Sequence, residues 1–269
     1  MSGIIADGSI RVPPRPGIVR KVWSAEETAR ILRSCKAHGL TVTHLVNVAG
    51  ALSSVYPSLS AAADPSLTAS VDEEFCCFDF LQAIDLAAKA AGKAEGEMET
   101  AVRIDLYPVI LRVARATIIA SVNDSESIWE IARLFKERND EFVKSPYFWH
   151  FLPMHASRVV ESYKAKLAGK PYLPFMSSLG DLKTLFPARY PVQPAGQPSN
   201  GGSGESGPEI RVTDKWTAGR VDPLSIATHL FTFDDRLYLQ CRYNVSRTSD
   251  ALIVPWFDRT VEIVSRMAE

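Results

Sequence analysis

The stretch with the richest potential chemistry covers residues 174–182 and reads PFMSSLGDL. It places two hydroxyls, a glycine and a carboxylate close together, at Ser177, Ser178, Gly180 and Asp181. Gly180 can adopt backbone angles that are closed to other residues. The Ser178 and Asp181 side chains can hydrogen-bond a turn locally. The pattern predicts an apolar strand that ends in a polar turn, which is either an ordinary turn or one that lines a binding site.

A general base for chemistry at this stretch would most simply be a histidine, because histidine titrates near neutral pH. The chain has five histidines, at positions 38, 44, 150, 155 and 229, and none is adjacent to another. His38 lies at a predicted helix end, where a capping role is the simpler explanation. His229 falls in a predicted strand, where it is either a hydrogen-bonded core residue or a channel residue.

The common signatures of nucleotide, metal and hydrolase sites are absent from the sequence. It has no G-x-x-x-x-G-K-[ST], G-x-G-x-x-G, H-E-x-x-H or G-x-S-x-G. The four cysteines, at positions 35, 76, 77 and 241, form neither a zinc pattern nor a secreted disulfide framework. We therefore expect no metal site, and we expect each cysteine to act as a small buried apolar residue.

The composition predicts a globular chain without nucleic-acid or membrane partners. Of its 269 residues, 46% are hydrophobic and 23% are charged, and the formal net charge is −1. The sequence begins without the basic and apolar segments of a signal peptide, and no apolar run is long enough to span a membrane. These features predict a cytoplasmic location.

The first half of the chain predicts an extended arm followed by two helices. Residues 1–22 hold three prolines and little periodicity. Ser24 and Glu27 form a capping box that should begin a helix, and Gly39 should end it. A second helix follows, and we expect Pro57 to end it because proline lacks the amide hydrogen that a helix interior needs. Residues 57–73 should form a loop.

The middle of the chain predicts a mixture of strands and helices. Residues 74–92 are compatible with either strand or helix, whereas the β-branched residues at 101–107 and 116–122 favour strands. Apolar periodicity predicts a helix from about Glu126 to Lys144, and a further helix at about 155–168.

The last third predicts a loop, three strands and a helix. Residues 191–208 are rich in glycine, serine and proline, which predicts a flexible loop. Strands should follow at 209–212, 225–233 and 236–243. Asp234 and Asp235 should form the turn of a hairpin. The last helix contains Pro255, which we expect in its first turn. The whole pattern predicts an α/β fold, a mixed sheet flanked by helices.

Four segments resemble, in this order, parts of CoA-dependent acyltransferases and condensation domains, in particular fungal trichothecene O-acetyltransferases and related alcohol acetyltransferases. They read WSAEET…CKAHGLTVTHL (residues 23–45), IWEIARLFK (128–136), FMSSLGD (175–181) and LYLQCRYN (237–244). The resemblance implies one lobe of the chloramphenicol-acetyltransferase-like fold, with residues 23–269 as a C-terminal-lobe domain after the arm. Complete enzymes of this kind have a second lobe with an H-H-x-x-x-D motif, which this sequence lacks.

The resemblance implies transfer of an acetyl group from acetyl-CoA to a hydroxyl of a secondary metabolite such as a mycotoxin. Acetyl-CoA would be a co-substrate and not a bound cofactor. Ser177, Ser178, Gly180 and Asp181 would line the substrate channel, and His229 is the internal candidate for the base. The missing motif leaves three alternatives open: a homodimer or a separate N-terminal-lobe partner that completes the site, a non-catalytic binding module, or a truncated inactive enzyme.

Overall fold

The computed structural model describes residues 15–61, 74–85, 104–150, 175–192, 208–217, 226–245 and 248–269. Five α-helices lie in these ranges: α1 Ala25–Ala37, α2 Val42–Ala61, α3 Arg115–Ala120, α4 Ser125–Val143 and α5 Asp250–Arg266. The strands are β1 Pro16–Val22, β2 Phe75–Asp85, β3 Ile104–Ala114, β4 Phe175–Asp181, β5 Arg189–Pro191, β6 Glu209–Arg211, β7 Ala227–Phe233 and β8 Arg236–Asn244. The predicted helix at 155–168 and most of the predicted loop at 191–208 lie outside these ranges.

Six of these strands form one mixed sheet in the order β1-β8-β7-β4-β2-β3, and β5 and β6 form a separate two-stranded ribbon. Strand β4 runs parallel to both of its neighbours, β2 and β7, whereas the other pairs are antiparallel. The α/β architecture predicted from the sequence, a mixed sheet flanked by helices, is confirmed.

The helices cover one face of this sheet, which we call the helical face. Met176, Leu230 and Leu239 point to it from three neighbouring strands and join the main core. On the other face, which we call the outer face, lie the alternate residues Ser177, His229 and Gln240, because successive side chains of a strand point to opposite sides. A smaller apolar cluster also lies on this side of the sheet, made of Leu182, Phe231, Phe233 and Tyr238.

Local capping begins and ends helix α1 as the sequence predicts. The Glu27 amide donates to the Ser24 hydroxyl at 3.2 Å, and the Ser24 amide donates to the Glu27 carboxylate at 2.7 Å. Gly39 follows the helix with a φ of +68°, a conformation that glycine adopts without steric cost. The β7–β8 hairpin also forms as predicted, with both Asp234 and Asp235 at positive φ, as a type I′ turn requires.

Helix α2 does not end at Pro57, and this prediction is wrong. The helix continues through the proline to Ala61. Pro57 cannot donate to the Ser53 carbonyl one turn earlier. The Arg259 side chain of α5 donates to that carbonyl instead, with its Nε at 3.2 Å. A tertiary hydrogen bond therefore replaces the one that the proline removes.

Three further expectations differ from the structure. Most of the β-branched segment 116–122 lies in the short helix α3 and the rest in the turn after it. Ile118 is fully buried there, so packing overrides the strand propensity of the segment. Pro255 lies in the second turn of α5, where the carbonyl left unpaired is that of the exposed Ala251. We predicted residues 16–22 to be part of an extended arm. They form the edge strand β1, and every residue of β1 pairs with a residue of β8.

Strand β1 can join the sheet because Gly17 leaves room for an aromatic ring. Gly17 lies opposite Tyr243, and a Cβ at this position would come within 2.5 Å of the tyrosine ring. The Tyr243 hydroxyl donates to the Asp250 carboxylate at 2.8 Å, which links β8 to the start of α5. The glycine thus permits both the strand pairing and the link to the helix.

We predict that Gly17→Ala lowers the free energy of unfolding by about 1–3 kcal/mol, because the ring must move to admit the new methyl group. Urea unfolding followed by circular dichroism measures this change. Ile18→Ala, which truncates a neighbouring side chain that is 42% exposed, is the control and should change stability by only about 0.5 kcal/mol. Equal effects of the two substitutions would contradict the steric explanation.

His44 gives the fold a dependence on pH. Its Nδ1 accepts a hydrogen bond from the Thr41 amide at 3.1 Å, at the start of α2, and the ring is buried. Burial lowers its pKa from 6.5 to about 4, against the opposing effect of Asp140 and with smaller contributions from Lys136 and Lys144. The unfolded state therefore binds a proton between pH 6.5 and 4 that the folded state does not bind.

We predict that stability is fully present above pH 6.5 and is lost as the pH falls towards 4, by at most about 3 kcal/mol for this residue. His44→Gln should make the free energy of unfolding less dependent on pH in this window, as measured by urea titrations at a series of pH values. His150→Gln, which removes an exposed histidine, is the control. If the free energy of unfolding of His44→Gln depends on pH as steeply as that of the wild type, the pKa of His44 is the same in the folded and unfolded states.

Candidate functional site

The residues 177–181 that we predicted to form a turn belong to strand β4. The prediction therefore placed the turn a few residues too early in the sequence. The strand continues to Asp181, and its pairing with β7 shifts between Ser178 and Gly180. This irregularity is a β-bulge at Leu179, and it accounts for the φ of +71° at Gly180. The chain turns only afterwards, in a short 3₁₀ helix at Leu182–Thr184.

The predicted channel residues do not converge on one point, because neighbours in a strand face opposite ways. Ser178 points to the helical face, where its hydroxyl lies 2.8 Å from the Thr43 hydroxyl of α2. Ser177 points to the outer face, beside His229 of β7. Asp181 ends the strand and accepts a hydrogen bond from the Lys183 amide at 3.0 Å, which begins the 3₁₀ helix.

A groove with a volume of about 720 Å³ lies where the parallel strands β4 and β7 end. Such ends are the usual ligand position in open α/β sheets. One wall comes from α1, with Ala29 and Leu32, and the rest from Asp181, the segment 186–189 and the β7–β8 turn. The volume is in the range of small-molecule sites. Of the four predicted channel residues, only Asp181 lines this groove.

The His229 ring is held by an arginine. The Nη2 of Arg242 donates to the Nε2 of His229. Because arginine is always a donor, Nε2 must accept and the ring proton must lie on Nδ1. Burial, followed by the charge of Arg242, lowers the pKa of His229 from 6.5 to about 4. The ring is therefore neutral at pH 7, but the lone pair that a base would use is occupied.

The sequence reasoning missed Arg242 and the buried polar contacts of α2. The side chains of Asn47 and Gln82 form a reciprocal amide pair between α2 and β2, with distances of 2.7 and 3.2 Å. A signal for Arg242 was present: a two-residue turn at Asp234 and Asp235 fixes the hairpin register and places Arg242 diagonal to His229. No comparable local signal indicates the Asn47–Gln82 pair, which joins separate elements.

Within the described ranges, no group of three or more His, Cys, Asp or Glu side chains is arranged to hold a metal ion. No helix of the described part of the chain combines the length and apolarity that a membrane span requires.

The sequence matches no family model and no curated protein, so the comparison rests on solved structures. The TRI3 trichothecene 15-O-acetyltransferase from Fusarium sporotrichioides matches with a TM-score of 0.62 at 15% identity, over 94% of this chain and 47% of its own. The PapA2 acyl transferase matches with a TM-score of 0.52 at 13% identity, over 96% and 46% of the two chains.

Condensation-type domains of peptide synthetases have the same arrangement. The epimerization domain TycB3(E) of tyrocidine synthetase B matches with a TM-score of 0.52 at 12% identity, over 94% of this chain and 48% of its own. This chain thus spans about half the length of the structures that it matches. The resemblance predicted from the sequence is confirmed for the fold: the chain has the fold of one half of an acyltransferase or condensation-domain protein.

Proposed function

We propose that this chain forms one half of an O-acyltransferase, which moves an acyl group from an acyl-CoA thioester to a hydroxyl group of a small molecule. The observation that carries the proposal is the fold likeness to the trichothecene 15-O-acetyltransferase over 94% of this chain. The likeness to the PapA2 acyl transferase supports the same class of reaction. Because the chain spans about half of each protein, the second half of the site must come from elsewhere.

The reaction needs a base for the acceptor hydroxyl, donors for the developing oxyanion and a cavity with little water. The groove beside Asp181 supplies a cavity of suitable volume. The Ser177 hydroxyl is a donor at the middle of β4, on the outer face. His229 is a poor base as it stands, since Arg242 would have to leave its Nε2 before that nitrogen could accept a proton.

We therefore propose that the base comes from a lobe with an H-H-x-x-x-D motif, in a partner chain, a second copy or a longer form of this chain. An acetyl group and a hydroxylated secondary metabolite of the trichothecene type are the proposed substrates, by analogy with the 15-O-acetyltransferase. The reaction would take place in the cytoplasm, where acyl-CoA is formed and used.

A second candidate function is a non-catalytic module that binds a ligand or a partner. The occupied Nε2 of His229 favours it, because the described residues then offer no histidine base at the candidate site. The two functions differ in their requirement for acyl-CoA: half of an acyltransferase should bind the thioester, whereas a partner module need not.

We predict that Ala29→Trp, which fills the groove from α1, weakens binding of acetyl-CoA or of a trichothecene alcohol at least tenfold. Isothermal titration calorimetry with the full chain measures the affinity for each ligand in a separate titration. Ala251→Trp adds the same side chain at an exposed position of α5 and is the matched control. If neither ligand binds the wild-type chain, the acyltransferase proposal fails, and if both variants bind normally, the groove is not the channel.

We also predict that the chain alone releases CoA from acetyl-CoA, with a trichothecene alcohol present, no faster than the uncatalysed reaction. A thiol-reactive dye measures the release. Turnover by the chain alone would contradict the half-site proposal. In that case His229→Ala against the control His150→Ala decides whether His229 is the base: a loss of about a hundredfold in the first variant only would assign it that role.

A further inference from the structure

A cluster of hydrogen-bond donors lies on the outer face of the sheet, on three adjacent strands. Ser177 of β4 pairs in register with His229 of β7. His229 pairs in turn with Gln240 of β8, and Arg242 follows Gln240 by two residues, on the same face. The guanidinium of Arg242 reaches back to the imidazole of His229. The cluster therefore brings together a cation, a neutral imidazole and a hydroxyl.

Two donors of this cluster have no acceptor among the described residues. The Nε of Arg242 and the Nδ1 of His229 are shielded from solvent, and neither has a hydrogen-bond partner among the described residues. With Nε2 accepting from Arg242, the proton of His229 lies on this unpaired Nδ1. Buried donors without partners are rare in folded proteins and cost free energy. The cluster therefore has unpaired hydrogen-bond donors that an added acceptor could satisfy.

Arg242 also lacks an opposite charge, which distinguishes it from other arginines near it. Arg20, on the same face, pairs with Asp214, and Arg236 lies 4.0 Å from Asp234. No carboxylate of the described residues pairs with Arg242. Burial is the main cause that lowers its pKa, and the one opposing effect comes from the neighbouring Cys241 and not from a carboxylate. A partly buried cation without a counter-charge is costly, and an anion would compensate it.

We infer that Arg242, His229 and Ser177 form a binding site for an anionic group, a carboxylate or a phosphate. The guanidinium supplies the charge and a planar set of donors, which suits both groups. The Ser177 hydroxyl, for which no intramolecular partner is found among the described residues, supplies a further donor. His229 acts as a positioning residue, because its Nε2 holds the guanidinium in place. The inference does not rest on acyl transfer, since a chain without turnover can still bind an anion.

The test is a titration of the full chain with sodium phosphate and, separately, with sodium acetate, at an ionic strength held constant with sodium chloride. Calorimetry gives the affinity, and the Nε–H resonance of arginine in NMR spectra reports contact with the anion. We expect saturable binding of at least one anion and a loss of affinity of at least tenfold in Arg242→Gln. Binding of phosphate alone would indicate a phosphate ester as ligand, and binding of acetate alone a carboxylate.

Arg20→Gln is the matched control, because it removes a charge from the same face that already has a carboxylate partner. It should bind the anion as the wild type does. If Arg242→Gln does not fold, Arg242→Lys and Ser177→Ala replace it, and each should bind several-fold more weakly than the wild type. The absence of saturable binding, wild-type affinity in the Arg242 and Ser177 variants, or an equal loss in Arg20→Gln would overturn the inference.

Discussion

The packing of helix α2 on the sheet is the constraint on which the rest of the structure depends. The residues of α2 are buried without interruption from His44 to Ser53, because the helix packs against the sheet and against the helices α4 and α5. Apolar packing alone would let such a helix slide or rotate. Polar contacts fix its position: Thr43 meets Ser178 of β4, and Asn47 pairs with Gln82 of β2.

Helix α5 forms further hydrogen bonds with α2. The Trp256 indole donates to the Gly50 carbonyl at 2.8 Å. A Cβ atom at position 50 would lie only 3.2 Å from the Trp256 ring, so the glycine leaves room for this contact. Thr260 and Arg259 bind the hydroxyl and the carbonyl of Ser53. The Trp256, Thr260 and Ser53 groups are polar and buried, so leaving them unpaired would cost free energy. The register of α2 against the sheet is therefore specified by hydrogen bonds, while its attachment is apolar.

This arrangement divides the sheet into a helical face that packs in the main core and an outer face that also carries polar side chains. On the helical face, residues such as Met176, Leu230 and Leu239 are buried in the core. On the outer face, the same strands present Ser177, His229 and Arg242, and the Nδ1 of His229 and the Nε of Arg242 have no partner among the described residues. The alternation of side chains along β4 explains why Ser178 serves the first role and Ser177 the second. The bulge at Leu179 then redirects the strand end, so that Asp181 reaches the groove.

The sequence by itself determined those features that depend on a few neighbouring residues. The capping box of Ser24 and Glu27, the glycine that follows α1 and the two-aspartate hairpin were all predictable, because each is fixed by local backbone chemistry. The order of four segments also indicated the fold. Only the tertiary structure decided that α2 continues through Pro57, because the compensating donor, Arg259, is distant in sequence. It also decided which acceptor Arg242 donates to and which serine lies beside His229 on the outer face, because these depend on strand order and register, which are set by packing across the whole sheet.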